Sequence, residues 1–244
     1  MTTQSSQNAI RQQVALLQEL EISIFSIETG LAILRKNRPY APKPHYFAWL
    51  LLLATGFERL MKVIICIQAF EAHGKFPSKT FLARTISHDL LALRNEIVNR
   101  CFTSSYLQNR SFAQQDYDFI TNNELTEMLL SLLNDFAKSD RYIFMDSIID
   151  PRIGREWPKL RWEELERIAL SDSVYFGLIQ KGELQDLRIR ANIELTACIE
   201  KFVRALTRLF VFGELGSLAR SNSITVWKFM HLEDDNLGKT VHEV

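Results

Sequence analysis

Residues Phe47-Ala-Trp-Leu-Leu-Leu-Leu-Ala-Thr-Gly-Phe57 form an apolar run that three charges then interrupt together, Glu58, Arg59 and Lys62. The apolar sequence resumes at once as Val63-Ile-Ile-Cys-Ile67. A helix apolar on every side has to be buried, because no face of it suits water. Charges in its middle are costly unless they are paired or used. The stretch therefore predicts both the centre of a core and a site within it. The uninterrupted run is about half the roughly 20 residues that a membrane span requires, which argues against a membrane protein.

The rest of the chain reads as helices arranged around that rod. Residues 1–8 are polar and read as a disordered lead-in without the basic-then-apolar layout of a signal peptide. Ile10, Val14, Leu17, Leu20, Ile24, Ile27, Leu31 and Leu34 recur at steps of three or four, one stripe of a long amphipathic helix. Pro39, Pro42 and Pro44 predict a stiff non-helical connector, and the central helix runs from about His45 to His73. Ser78 is placed to cap a short helix through Arg84, and Ser87 a second one starting at His88. Residues 101–118, rich in Ser, Gln and Asn, read as a long surface excursion. Asn122 or Asn123 caps a helix through Phe136.

Pro151, Gly154 and Pro158 break the segment from Lys138 to Arg161, with Trp157 and Trp162 as its anchors. A short helix over 162–170 follows, and then the clearest one, in which Leu184, Leu187, Ala191, Leu195, Cys198, Phe202, Ala205, Leu209 and Phe212 keep the helical step. Gly213 or Gly216 stops it. Residues 223–231 fit a short helix or an extended piece, and residues 236–244 read as a polar tail. The expectation is an all-α helical bundle with long central helices, one domain over 9–235.

Twenty-nine basic residues balance twenty-nine acidic ones, which excludes a strongly basic nucleic-acid-binding domain while leaving a local patch open. Cys66, Cys101 and Cys198 have neither metal-ligand nor disulfide-framework spacing. No metal or cofactor is expected, and the cysteine usage suits a reducing cytoplasm.

Glu58 and Lys62 stand four apart, so they share a helix face in the favoured order. Buried ion pairs rarely improve on apolar packing, which leaves function or fold specificity as the motive. His88, followed by Asp89, reads as a histidine at a helix start, where a neutral imidazole is favoured. The cations Arg94, Arg100, Arg110 and Arg141 read either as a ring around a groove for phosphate-rich ligands or as scattered solvated charges. The succession Gly56-Phe-Glu58-Arg-Leu-Met-Lys62, then Gly74-Lys-Phe-Pro77, then Ser87-His88-Asp89-Leu90 resembles the HEPN-like domains, a helical nucleotide-binding superfamily. The resemblance covers about residues 47–100, with a HEPN-like core expected over 47–136.

In that family a Glu-x-x-x-Lys pair lies on a central helix before a Gly-or-Ser-His-Asp-Leu helix start. Its ribonucleases cut RNA without metal, using an Arg-Asn-x-x-x-His motif. Here Arg94-Asn95-Glu-Ile-Val-Asn99 resembles that motif with Asn99 in place of the histidine. Asparagine cannot accept and return a proton, so acid–base catalysis at that position fails. The resemblance thus implies a non-catalytic, homodimeric protein that binds a nucleotide, RNA or partner protein through Glu58, Lys62, His88, Arg94 and Asn95, in a bacterial defence or toxin–antitoxin-like setting. Two alternatives stand beside it: an endoribonuclease in which His88 works with Arg94, and a helical scaffold for protein association.

Overall fold

A computed structural model describes residues 2–36, 43–85, 87–150, 152 and 157–242. These form twelve α-helices, with no strand among the described residues: α1 (Thr2–Arg35), α2 (Lys43–His73), α3 (Leu90–Cys101), α4 (Ser104–Asn109), α5 (Ser111–Asn122), α6 (Glu124–Lys138), α7 (Ile143–Ile149), α8 (Pro158–Ala169), α9 (Asp172–Lys181), α10 (Leu184–Phe212), α11 (Gly216–Ser221) and α12 (Ser223–Met230). The all-α reading holds. No described helix is long and apolar enough to cross a membrane.

α2 is the central rod. Trp49, Leu50, Leu53, Phe57, Leu60, Met61, Ile64 and Ile67 are fully buried, and they face different neighbours around the helix. Phe47 meets Phe136 of α6 at 5.4 Å between ring centroids, Trp49 meets Trp162 of α8 at 5.6 Å, and Phe57 meets Phe202 of α10 at 5.2 Å. α1 packs along α2 more extensively than any other pair of elements. The contacts run in opposite senses along the two helices, Arg59 to Glu19, Gly56 to Ile27 and Gly30 to Leu53, so the pair is an antiparallel hairpin. Gly30 and Gly56 let the two backbones approach: a Cβ on Gly56 would stand 3.0 Å from the Ser23 carbonyl oxygen.

Several boundaries differ from the sequence reading. α1 extends to Thr2, through the lead-in expected to be disordered, since lengthening an established helix costs far less than starting one. The connector prolines Pro39 and Pro42 lie outside the described residues. Pro44 falls in the first turn of α2, where a missing N–H is no loss. Pro151 and Gly154 also lie outside the described residues.

The expected excursion over 101–118 is instead two helices. Thr103 Oγ1 accepts from the Tyr106 N–H at 3.2 Å to cap α4, and α5 buries Ala113, Asp116 and Ile120. Its Ser and Gln residues mask the helical step because they occupy the solvent side. Asp116 is carried into the interior by an ion pair with Arg208 of α10, 3.0 Å to each carboxylate oxygen.

The chain beyond α12 keeps most of its side chains exposed but is anchored to the fold at two points. Gly238 and His242 are buried, and Glu200, in the middle of α10, takes the Gly238 N–H at 2.6 Å and His242 Nε2 at 2.7 Å. Within residues 223–231, Ser223–Met230 form the helix α12 and His231 caps it.

Candidate functional site

The local structure before α3 decides where His88 sits. Ser87 was expected to cap a helix starting at His88, but Asp89 is the cap, accepting from the Ala92 N–H at 2.9 Å. A carboxylate holds a helix start better than a hydroxyl can, because its charge adds to the hydrogen bond. Lys138 fixes the same carboxylate at 2.6 Å, and Asn134 accepts the Leu90 N–H at 3.0 Å. His88 is thereby left outside the helix, on a turn in which Ser87 has a left-handed φ of 37°. The imidazole points back to α2 rather than along α3.

There it joins Glu58. His88 Nδ1 lies 2.9 Å from Glu58 Oε2 and 3.0 Å from Oε1, and Lys62 Nζ donates to Oε1 at 2.7 Å. An ionised carboxylate only accepts, so Nδ1 carries a proton whether or not the ring is charged, and in the neutral ring the lone pair is left to Nε2. Burial pushes the Glu58 carboxyl up, but the hydrogen bonds and charges of Lys62 and His88 outweigh it and hold the group below its usual range. Its side chain is 18% exposed, whereas that of His88 is 60% exposed. The carboxylate is the fixed part of the cluster and the imidazole the presented part.

The cluster lines a groove of about 620 Å³ between α1 and α2. Thr55, Glu58, Lys62 and Cys66 come from one face of α2, at steps of three or four. Ala15 and Leu16 form the wall on α1, opposite Phe76 and Leu82 from the segment after α2. Phe76 is stacked on Phe70 at 4.9 Å, and a π-helical turn over Phe81–Thr85 carries Leu82. Ser78 supports that turn by accepting the Phe81 N–H at 3.1 Å, as its capping position predicted.

Arg59 pairs with Glu19 across the two helices, and Arg141 reaches the groove from the turn after α6. Burial pushes the Cys66 thiol up to about 11, despite the nearby Lys62, which disfavours its thiolate.

Glu58, Lys62 and His88 are thus brought together, and Arg94, Asn95 and Asn99 are not part of the groove. Arg94 is buried and turned toward α5 and α6. It bonds Glu127 and the Ile120 carbonyl (3.3 Å), and its Nε donates to Asn95 Oδ1 at 3.0 Å. Asn99 is exposed on α3. Of the four arginines read as a ring, only Arg141 lines the groove; Arg100 pairs with Glu96 and Arg110 lies over Phe212.

The sequence reading missed Glu19, Phe76 and Leu82 as groove residues. Glu19 and Arg59 meet only when the hairpin folds, so no local spacing announces them. Among the described residues no cluster of three or more His, Cys, Asp or Glu side chains is placed to hold a metal ion. The chain matches no protein-family profile, no curated protein and no solved structure.

Proposed function

We propose that the chain is a HEPN-like helical protein that binds a nucleotide, or the end of an RNA strand, in the groove beside Glu58, without the ribonuclease chemistry of that family. The observation that carries the reading is the composition of this one cavity. Apolar walls with a half-buried aromatic, Phe76, face a floor holding three permanent cations, Arg59, Lys62 and Arg141, against two carboxylates, Glu19 and Glu58. A volume near 620 Å³ falls within the range of small-molecule sites. An apolar slot suits a base, and the one cation in excess of the two carboxylates suits a phosphate.

The test is a thermal-shift and calorimetric titration of the full chain with nucleosides and nucleoside mono-, di- and triphosphates. Nucleotides should raise Tm and nucleosides should do so less. Arg141→Ala should weaken nucleotide binding tenfold or more, about 1.4 kcal/mol. A Tm unmoved by every nucleotide ends the reading.

The reading includes a homodimer in a bacterial defence or toxin–antitoxin-like setting, and a monomeric mass in solution at micromolar concentration would remove the dimer from it. The alternative endoribonuclease requires Arg94 and His88 to act on one phosphate, and Arg94 is occupied by Glu127 away from the groove. RNA left intact by the purified protein disposes of that alternative. The scaffold reading leaves the open, charged groove without a purpose.

A further inference from the structure

We propose that His88 Nε2 is a nucleophile that takes up a phosphoryl group from a phosphate ester or phosphoramidate lying in the groove, so that His88 is a phosphohistidine site. The proposal deepens the nucleotide reading and rests on it only in taking the groove to admit a phosphate.

Five observations converge. The Glu58 carboxylate grips Nδ1 with both oxygens, at 2.9 and 3.0 Å, which in the neutral ring leaves the lone pair on Nε2. Nε2 makes no hydrogen bond to a described residue, and the side chain is 60% exposed at the edge of the groove. Glu58 is held in turn by Lys62, so the imidazole is anchored by a side chain that is itself fixed. Arg59, Lys62 and Arg141 line the same groove, the first two paired with Glu19 and Glu58, so that cations there exceed carboxylates by one. The turn that presents His88 carries the left-handed Ser87, the one non-glycine with positive φ among the described residues.

The chemistry balances without an outside oxidant or metal. The Nε2 lone pair forms an N–P bond as the P–O or P–N bond to the leaving group breaks, and the leaving oxygen or nitrogen takes a proton from solvent. The imidazole's new positive charge is offset by Glu58, which keeps its hydrogen bond to Nδ1–H. Water then attacks phosphorus, the N–P bond breaks, and phosphate leaves with regeneration of the neutral ring. Glu58 is a positioning residue in this step, because it acts through His88 rather than on phosphorus.

The experiment uses the full chain with radiolabelled phosphoramidate as donor. Phosphorus NMR of the alkali-denatured product assigns the labelled nitrogen. Wild type should carry an acid-labile, alkali-stable label on Nε2, and His88→Gln should carry none while keeping the wild-type far-UV spectrum. Glu58→Gln should slow labelling at saturating donor at least tenfold, with the half-saturating donor concentration unchanged; Glu58→Asp, which restores a carboxylate, should recover part of the rate. No label in wild type overturns the proposal. If nucleotides still raise Tm, the binding reading survives that loss. A label that persists in His88→Gln also overturns it by locating the nucleophile elsewhere. Labelling of His88 without any nucleotide-induced change in Tm would instead remove the nucleotide reading and leave the phosphohistidine site standing.

Discussion

Gly56 lies where α2 crosses α1, and a Cβ added there would meet Ile27 Cγ1 at 2.6 Å and backbone atoms of α1 at 3.0 and 3.1 Å. Gly177 is also helical, within α9, but a Cβ added there meets nothing within 4 Å. The same substitution should therefore have opposite signs at the two positions. Alanine gains about 1 kcal/mol over glycine from helix propensity alone. At Gly177 nothing opposes that gain, and Gly177→Ala should raise the urea midpoint accordingly. At Gly56 the clash falls on a second helix's backbone, which cannot rotate away as a side-chain tip can. Overpacking of this kind costs about 1–3 kcal/mol. Gly56→Ala should lower the midpoint or at best leave it unchanged. A gain at Gly56 equal to that at Gly177 would show that the hairpin is not closely packed there.

The segment after α12 and the helix α10 test the same logic between elements. Asn192, Thr196, Glu200 and Arg204 stand four apart on α10 and are all buried, a polar track inside an otherwise apolar helix. The track is where other elements attach. Asn192 donates to the Leu34 carbonyl of α1 at 3.2 Å, Glu200 holds Gly238 and His242, and Arg204 bonds the Leu232 carbonyl at 2.8 Å and Asp234 at 2.7 Å. Glu200 and His242 are both fully buried in their side chains. Removing one partner of such a pair strands the other, at a cost of about 3–5 kcal/mol. His242→Ala should therefore unfold at markedly lower urea concentration than wild type, and it should expose residues 232–242 to proteolysis first. A loss no greater than that of an ordinary surface substitution would mean that the segment is not anchored through Glu200.

This is also where sequence reading stopped. The apolar steps of α2 and α10 were legible because each falls within a few residues, and so was the Glu58–Lys62 pair. Asp116 with Arg208 and Glu200 with His242 are partners 92 and 42 residues apart, which turned two packed segments into apparent surface chain. The site divided in the same way. His88 reaches Glu58 across 30 residues, whereas Arg94 turns to Glu127, 33 residues on, a contact that no local spacing announces.

At the scale of the whole molecule, buried carboxylates pull the pH dependence of stability in opposite directions, and Glu166 is the one whose effect is large enough to isolate. It is 2% exposed, accepts from Trp162 Nε1 at 3.2 Å and lies 3.2 Å from Arg188. Burial pushes its carboxyl up to about 7; Arg188 opposes the shift, and the neighbouring Glu163 adds to it. In the unfolded chain the group is ionised above its ordinary value of 4.5. Between pH 4.5 and 7 the folded state thus binds a proton that the unfolded state has released, so this group's contribution makes stability fall as pH rises through that window. The full cost, on the order of 3 kcal/mol, is present above pH 7 and absent well below 4.5. Glu58 and Asp89, both held below their usual range, act in the reverse sense and lose stability as pH falls. Glu166→Gln separates the two contributions. Glutamine keeps an oxygen for the Trp162 N–H but has no charge to desolvate, so the variant should match wild type near pH 4 and exceed it increasingly up to pH 8. Urea titrations of both proteins at intervals across that range measure the difference directly. Parallel curves would show that Glu166 is ionised throughout and that Arg188 compensates its burial; a variant less stable at pH 8 would make the Glu166–Arg188 pair a net support of the fold.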